Sequence, residues 1–95
     1  MNKKPEVENQ KLNNIVNDLY KGQDNPNHVG NGTTMDAVRN EIITGEPTFG
    51  RWHTQKLTDS LNGLNNLLNS GNLSAKDTDI VKALIEEILN ALKGK

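Results

Sequence analysis

The sequence predicts a compact all-α domain of four helices, and three features of it lead there. Leu, Ile and Val recur at intervals of three and four along most of the chain. No alternating strand pattern runs beyond three residues. Two Ser/Thr-x-x-acid motifs and several glycines fall where those apolar stripes begin and end, as caps do. Ninety-five residues are one domain, which buries only about 60 to 65 % of its unfolded surface. An apolar fraction of 33 % and a mean hydropathy of -0.73 imply narrow apolar stripes and wide polar faces.

The first helix is predicted over roughly 6 to 21, with residues 1 to 5 flexible. Pro5 suits a first turn, where its missing N–H costs nothing. Val7, Leu12, Ile15, Val16 and Leu19 give the stripe, and Gly22 stands where a cap belongs. Residues 22 to 32, with three glycines and Asn25-Pro26, read as a loop that carries His28.

Thr33-Thr34-Met35-Asp36 is the N-cap of a second helix over about 34 to 44, with Met35, Ala37, Val38 and Ile42 toward the core and Gly45 ending it. Gly45 to Gly50 form a second turn in which Phe49 is expected to anchor on the core. A third helix over about 52 to 69 buries Leu57, Leu61, Leu64 and Leu68, widened by Leu67. Its Gly63 costs about 1 kcal/mol against alanine and suggests the close approach of another helix. Ser74-Ala75-Lys76-Asp77 caps a fourth helix over about 75 to 93, whose Ile80, Val81, Leu84, Ile85, Ile88, Leu89 and Leu92 make the most apolar face of the protein.

Function concentrates in His28 to Lys56, where two histidines, Arg39, Arg51, Lys56, Asp36 and Glu41 gather among glycines and threonines. A polar cleft is expected between the loop 22–33, the second helix and the start of the third. Histidine titrates near neutrality, so His28 and His53 suit acid–base chemistry; the plainer reading makes each a polar surface or loop residue, against which His53 stands out by its place at a helix start one turn before Lys56. Arg39, Arg51 and Lys56 suit a phosphodiester and the charge it gains in a transition state. The plainer alternative pairs them with Asp36, Glu41, Glu46 and Asp59 on a solvated face, each pair worth about 1 kcal/mol or less. Gly30-Asn31-Gly32-Thr33-Thr34 ahead of a helix presents N–H groups and hydroxyls to an anion or simply caps the helix; it lacks the Gly-Lys-Ser/Thr ending of a P-loop.

Composition narrows the classes further. A net charge of -1 supplies no global field to gather nucleic acid or an acidic membrane, so a polyanion needs a local patch. Without cysteine there is no disulfide, thiolate metal site or cysteine nucleophile. No H-E-x-x-H or H-x-H spacing occurs, so neither a metal nor another cofactor is called for. No apolar run approaches the ~18 residues of a membrane span.

The run G-N-G-T-T-M-D-A-V-R-N-E-I-I-T-G-E-P-T-F-G-R-W-H-T-Q-K (30–56), followed by L-T-D-S-L-N-G-L-N-N-L-L (57–68), resembles a C-terminal module of bacterial polymorphic toxins of the contact-dependent growth inhibition and Rhs types. The likeness spans about residues 19 to 93. It implies an all-helical ribonuclease that cleaves transfer RNA in a target cell, in some members with elongation factor Tu and GTP, and that a cognate immunity protein neutralises. It also implies delivery as the C-terminal part of a larger exported effector, acting in the target-cell cytoplasm. Carried onto this sequence, it marks Thr33, Thr34, Asp36, Arg39, Glu41, His53 and Lys56. On that reading His53 is general base or acid, Arg39 and Lys56 stabilise the transition state, and Asp36 or Glu41 orients His53 or Arg39. Thr33 or Thr34 holds substrate or caps the helix, and His28 and Arg51, which the resemblance does not mark, are also expected to bind substrate. The rival readings are a non-catalytic helical interaction domain, favoured by the balanced charge and small core, and a DNA-cleaving toxin, disfavoured by the missing metal cluster.

Overall fold

The computed structural model describes residues 3–95. Met1 and Asn2, part of the stretch expected to be flexible, lie outside the described residues; Lys4 donates from Nζ to Asn17 Oδ1 at 2.8 Å. The fold is all-α, with helices α1 (Gln10–Tyr20), α2 (Thr34–Thr44), α3 (Thr54–Ser70) and α4 (Ala75–Leu92), and a 3₁₀ turn at Lys21–Asp24. α4 is the spine, packed by both α2 and α3, while α1 lies against α3 and α2. The core joins Leu12, Val16, Leu19 and Tyr20 to Met35 and Val38, to Leu57, Leu64 and Leu67, and to Val81, Leu84, Ile88 and Ala91. Each Leu, Ile, Val or Met among them contributes about 1.5 to 3 kcal/mol by leaving water.

Both cap motifs work as the sequence implies. The Thr33 hydroxyl accepts from Asp36 N at 3.2 Å and that of Ser74 from Asp77 N at 3.1 Å, each satisfying an N–H with no partner inside its helix. Gly45 and Gly71 end α2 and α3 in the left-handed conformation, with φ of 72° and 69°. Gly63 does mark a close approach: a Cβ there would stand 3.0 Å from Ile15 Cδ1 of α1.

The first helix departs from expectation at both ends. It starts at Gln10, not near Pro5, because Asn9 caps it by accepting from Leu12 N at 3.0 Å. The buried Asp77 carboxylate also takes the N–H groups of Glu8 (3.1 Å to each oxygen) and Asn9 (2.8 Å), which holds the preceding chain extended on the start of α4. At the other end Gly22 is not a terminal cap but lies within the 3₁₀ turn. It is pressed against the Gly32 carbonyl, where a side chain would collide.

Three apolar residues were also misplaced. Ile42 is 47 % exposed and Phe49 67 % exposed, and Leu89 of α4 is exposed as well. Thr48, not Phe49, anchors the second turn. It is buried, its hydroxyl donates to Ala37 O at 3.0 Å, and the same oxygen accepts from Asn40 Nδ2 at 3.1 Å. Two hydrogen bonds to α2 hold Thr48 inward, and the adjacent Phe49 ring is left exposed.

Candidate active site

Helical geometry first decides which polar residues of α2 can act together. At about 100° per residue, positions 34, 37 and 41 fall on one side, and positions 36 and 39 fall nearly opposite. Thr34, Ala37 and Glu41 therefore turn toward the loop 22–33 and the start of α3, and Asp36 and Arg39 turn away. Arg39 Nη1 donates to Asp36 Oδ1 at 2.7 Å, and Nη2 reaches Glu87 O of α4 at 3.5 Å. Asp36 Oδ2 in turn accepts from Asn31 N at 2.8 Å. These two residues brace α2 against α4 and fix the glycine-rich loop; neither is among the residues that line the cleft.

The cleft has a volume of about 410 Å³. Lys21, Arg51 and Lys56 line it together with His28 and His53, and Asp18 is the one carboxylate among the described residues that line it. A chain of net charge -1 thus carries a local patch of the sign a phosphate needs.

His28 arrives on the loop. Gly32, at φ 83°, lets this loop fold so tightly that a Cβ there would be 2.9 Å from His28 Cγ. Asp36 fills the space where a Gly30 side chain would be, with Gly30 at φ 57°. Thr33 and Thr34 also border the cleft, but their hydroxyls are committed. Thr33 Oγ1 donates to Asn31 Oδ1 at 2.8 Å while capping α2, and Thr34 Oγ1 points to Leu19 O at 3.4 Å, tying α2 to the end of α1.

Glu41 does not line the cleft itself; it is only 2 % exposed and acts through His53. Its Oε1 accepts from the His53 backbone N–H at 2.7 Å and its Oε2 meets His53 Nδ1 at 2.7 Å. An ionised carboxylate only accepts, so Nδ1 is the donor of this bond, and a neutral ring so held has its lone pair on Nε2. This two-point grip also explains why α3 begins at Thr54 and not at 51 or 52. His53 occupies the N-cap position but makes no side-chain cap, because its ring is held by Glu41.

A carboxylate fixing the tautomer and rotation of a histidine, and offsetting the positive charge the ring gains when it takes a proton, is what a general base requires. Arg51 and Lys56 line the same cleft as His53. Among the described residues no group of three or more His, Asp or Glu is placed to hold a metal ion.

No protein-family model, curated protein or solved structure matches this chain.

The functional reading therefore rests on the cleft and on the sequence pattern. Sequence reasoning passed over Asp18, Lys21, Thr48 and Phe49, all on the cleft wall. Lys21 and Asp18 read locally as the ordinary polar end of a helix. Only the return of the loop over that end makes them part of a site.

Proposed function

We propose that the chain is a ribonuclease of the polymorphic-toxin kind, cleaving transfer RNA by metal-independent acid–base catalysis and neutralised by a cognate immunity protein. One observation carries the reading: a buried carboxylate holding at two points a histidine of a cleft that three cationic side chains also line. His53 Nε2 removes the proton of a ribose 2′-hydroxyl, and the 2′-oxygen attacks the adjacent phosphorus. The bond from phosphorus to the 5′-oxygen breaks, and His28, carried on the loop, protonates the leaving oxygen. The products are a 2′,3′-cyclic phosphate and a 5′-hydroxyl end. Lys56, Arg51 and Lys21 neutralise the charge on the non-bridging oxygens. The role first given to Arg39 passes to them, since Arg39 is engaged with Asp36 and α4. A transfer-RNA carrier such as elongation factor Tu with GTP would supply binding that so small a patch lacks. Export within a larger effector and action in the target-cell cytoplasm belong to the same proposal.

A second reading, a non-catalytic interaction domain, draws on the exposed Ile42, Ile43, Trp52 and Leu89. One experiment separates the two. Residues 1 to 95 and the His53→Ala variant are induced in bacteria, and total RNA is run on a denaturing gel. Growth arrest with shortened transfer RNA, abolished in His53→Ala, supports the nuclease. Normal growth with intact RNA from folded wild-type protein supports the interaction domain.

A further inference from the structure

Phe49 serves neither its own turn nor the core. Thr48 N donates to Arg51 O at 3.0 Å and Arg51 N to Thr48 O at 3.1 Å, closing a two-residue hairpin. Its central residues, Phe49 and Gly50, both have positive φ, 51° and 78°. That is the pattern of a type I′ turn, in which the first central position favours Asn, Asp or Gly. Phe49 is the one non-glycine residue at positive φ among the described residues. A strained residue that local folding disfavours points to a use for its side chain. The ring is not buried, since it is 67 % exposed.

What the ring does have is its position. It lines the cleft together with Arg51, His53 and Lys56, on a hairpin that the buried Thr48 fastens to α2. The hairpin so fastened sets a flat apolar face in the same cleft as cations and a candidate base. A nucleotide has the complementary layout, a flat base next to a charged phosphate. Bases stack on aromatic side chains only when they are released from pairing. Resting on the nuclease reading, we propose that Phe49 is a stacking platform for an unpaired nucleobase, so that the cleft takes RNA at a single-stranded segment and not within a helix.

Trp52 is the only tryptophan of the chain and is 62 % exposed, three residues from Phe49, which gives a fluorescence reporter. A short 2′-O-methyl oligoribonucleotide, which cannot supply the attacking hydroxyl, is titrated into the full chain as a single strand and again annealed to its complement. Wild type, Phe49→Tyr and Phe49→Leu are compared, with urea unfolding to verify that each is folded. Phe49→Tyr should bind the single strand like wild type, and Phe49→Leu about tenfold more weakly. The duplex should bind less well than the single strand and should not respond to either change.

Equal single-strand affinity for Phe49→Leu and wild type overturns the platform, and so does an equal loss on the duplex. A leucine as good as phenylalanine would mark an apolar contact for a protein instead. If wild type cleaves transfer RNA while Phe49→Leu binds unchanged, stacking fails and the nuclease stands. Ring-dependent binding of the single strand without cleavage upholds the platform and removes the nuclease. A wild type that neither binds nor cleaves RNA removes both.

Discussion

Replacing Glu41 with glutamine preserves the shape of the side chain and deletes its charge. The amide oxygen can still accept from the His53 backbone N–H, now held at 2.7 Å. Its NH2 group must then face Nδ1, which also lies at 2.7 Å. Nδ1 is forced to accept, so the ring proton moves to Nε2, the nitrogen left for the cleft. The ring stays in place and loses its lone pair there. A positioned base contributes about 10²- to 10⁴-fold, or about 3 to 5 kcal/mol of transition-state stabilisation, and most of that should disappear. The folding cost is smaller, about 1 to 3 kcal/mol for trading charge-assisted hydrogen bonds for neutral ones. Against a typical total of about 5 to 15 kcal/mol the variant remains folded. Single-turnover cleavage of transfer RNA, read beside thermal unfolding and the imidazole nitrogen shifts of His53, tests each step. A folded Glu41→Gln protein that cuts within about tenfold of wild type would refute the assignment of His53 as a base oriented by this carboxylate.

Two further outcomes concern the scaffold. Burial, and secondarily the charge of Glu87, push the Tyr20 phenol up to about 12 from an ordinary 10.0. The folded state thus favours the protonated phenol: its contribution is complete below pH 10 and is lost as pH rises toward 12, about 2 to 3 kcal/mol in all. Urea unfolding across that interval should show a shallower fall for Tyr20→Phe than for wild type, and parallel curves would reject the linkage. Asp77→Ala should cost about 2 to 4 kcal/mol, because a 1 % exposed carboxylate that holds Glu8 N and Asn9 N is removed. Amide exchange at Glu8 and Asn9 should accelerate along with the lower unfolding midpoint. An unchanged midpoint would mean that the N-terminal segment does not depend on this anchor.

The helices were legible because their determinants are local. Leu57, Leu64, Val81, Leu84 and Ile88 repeat at helical spacing, and Thr33 and Ser74 cap through residues three positions away, so the all-α class and the bounds of α2 and α4 follow from the sequence nearly to the residue. The errors arose where a distant group decided. The start of α1 depends on Asp77, nearly seventy positions along the chain, and the start of α3 on Glu41. Phe49 and Thr48 exchanged roles because hydrogen bonds to Ala37 and Asn40, not hydrophobicity, fix that turn.

The candidate site divides the same way. Its residue types and their crowding between His28 and Lys56 are sequence properties. Which acid partners which base is a matter of helix phase and crossing. Only tertiary structure set Glu41 beneath His53 and sent Asp36 with Arg39 to the other side of α2, against α4. It also brought Lys21, from outside the His28–Lys56 stretch, and Phe49, expected on the core, to the cleft. Local spacing determines which face a side chain takes, and what that face meets is decided by how the helices pack.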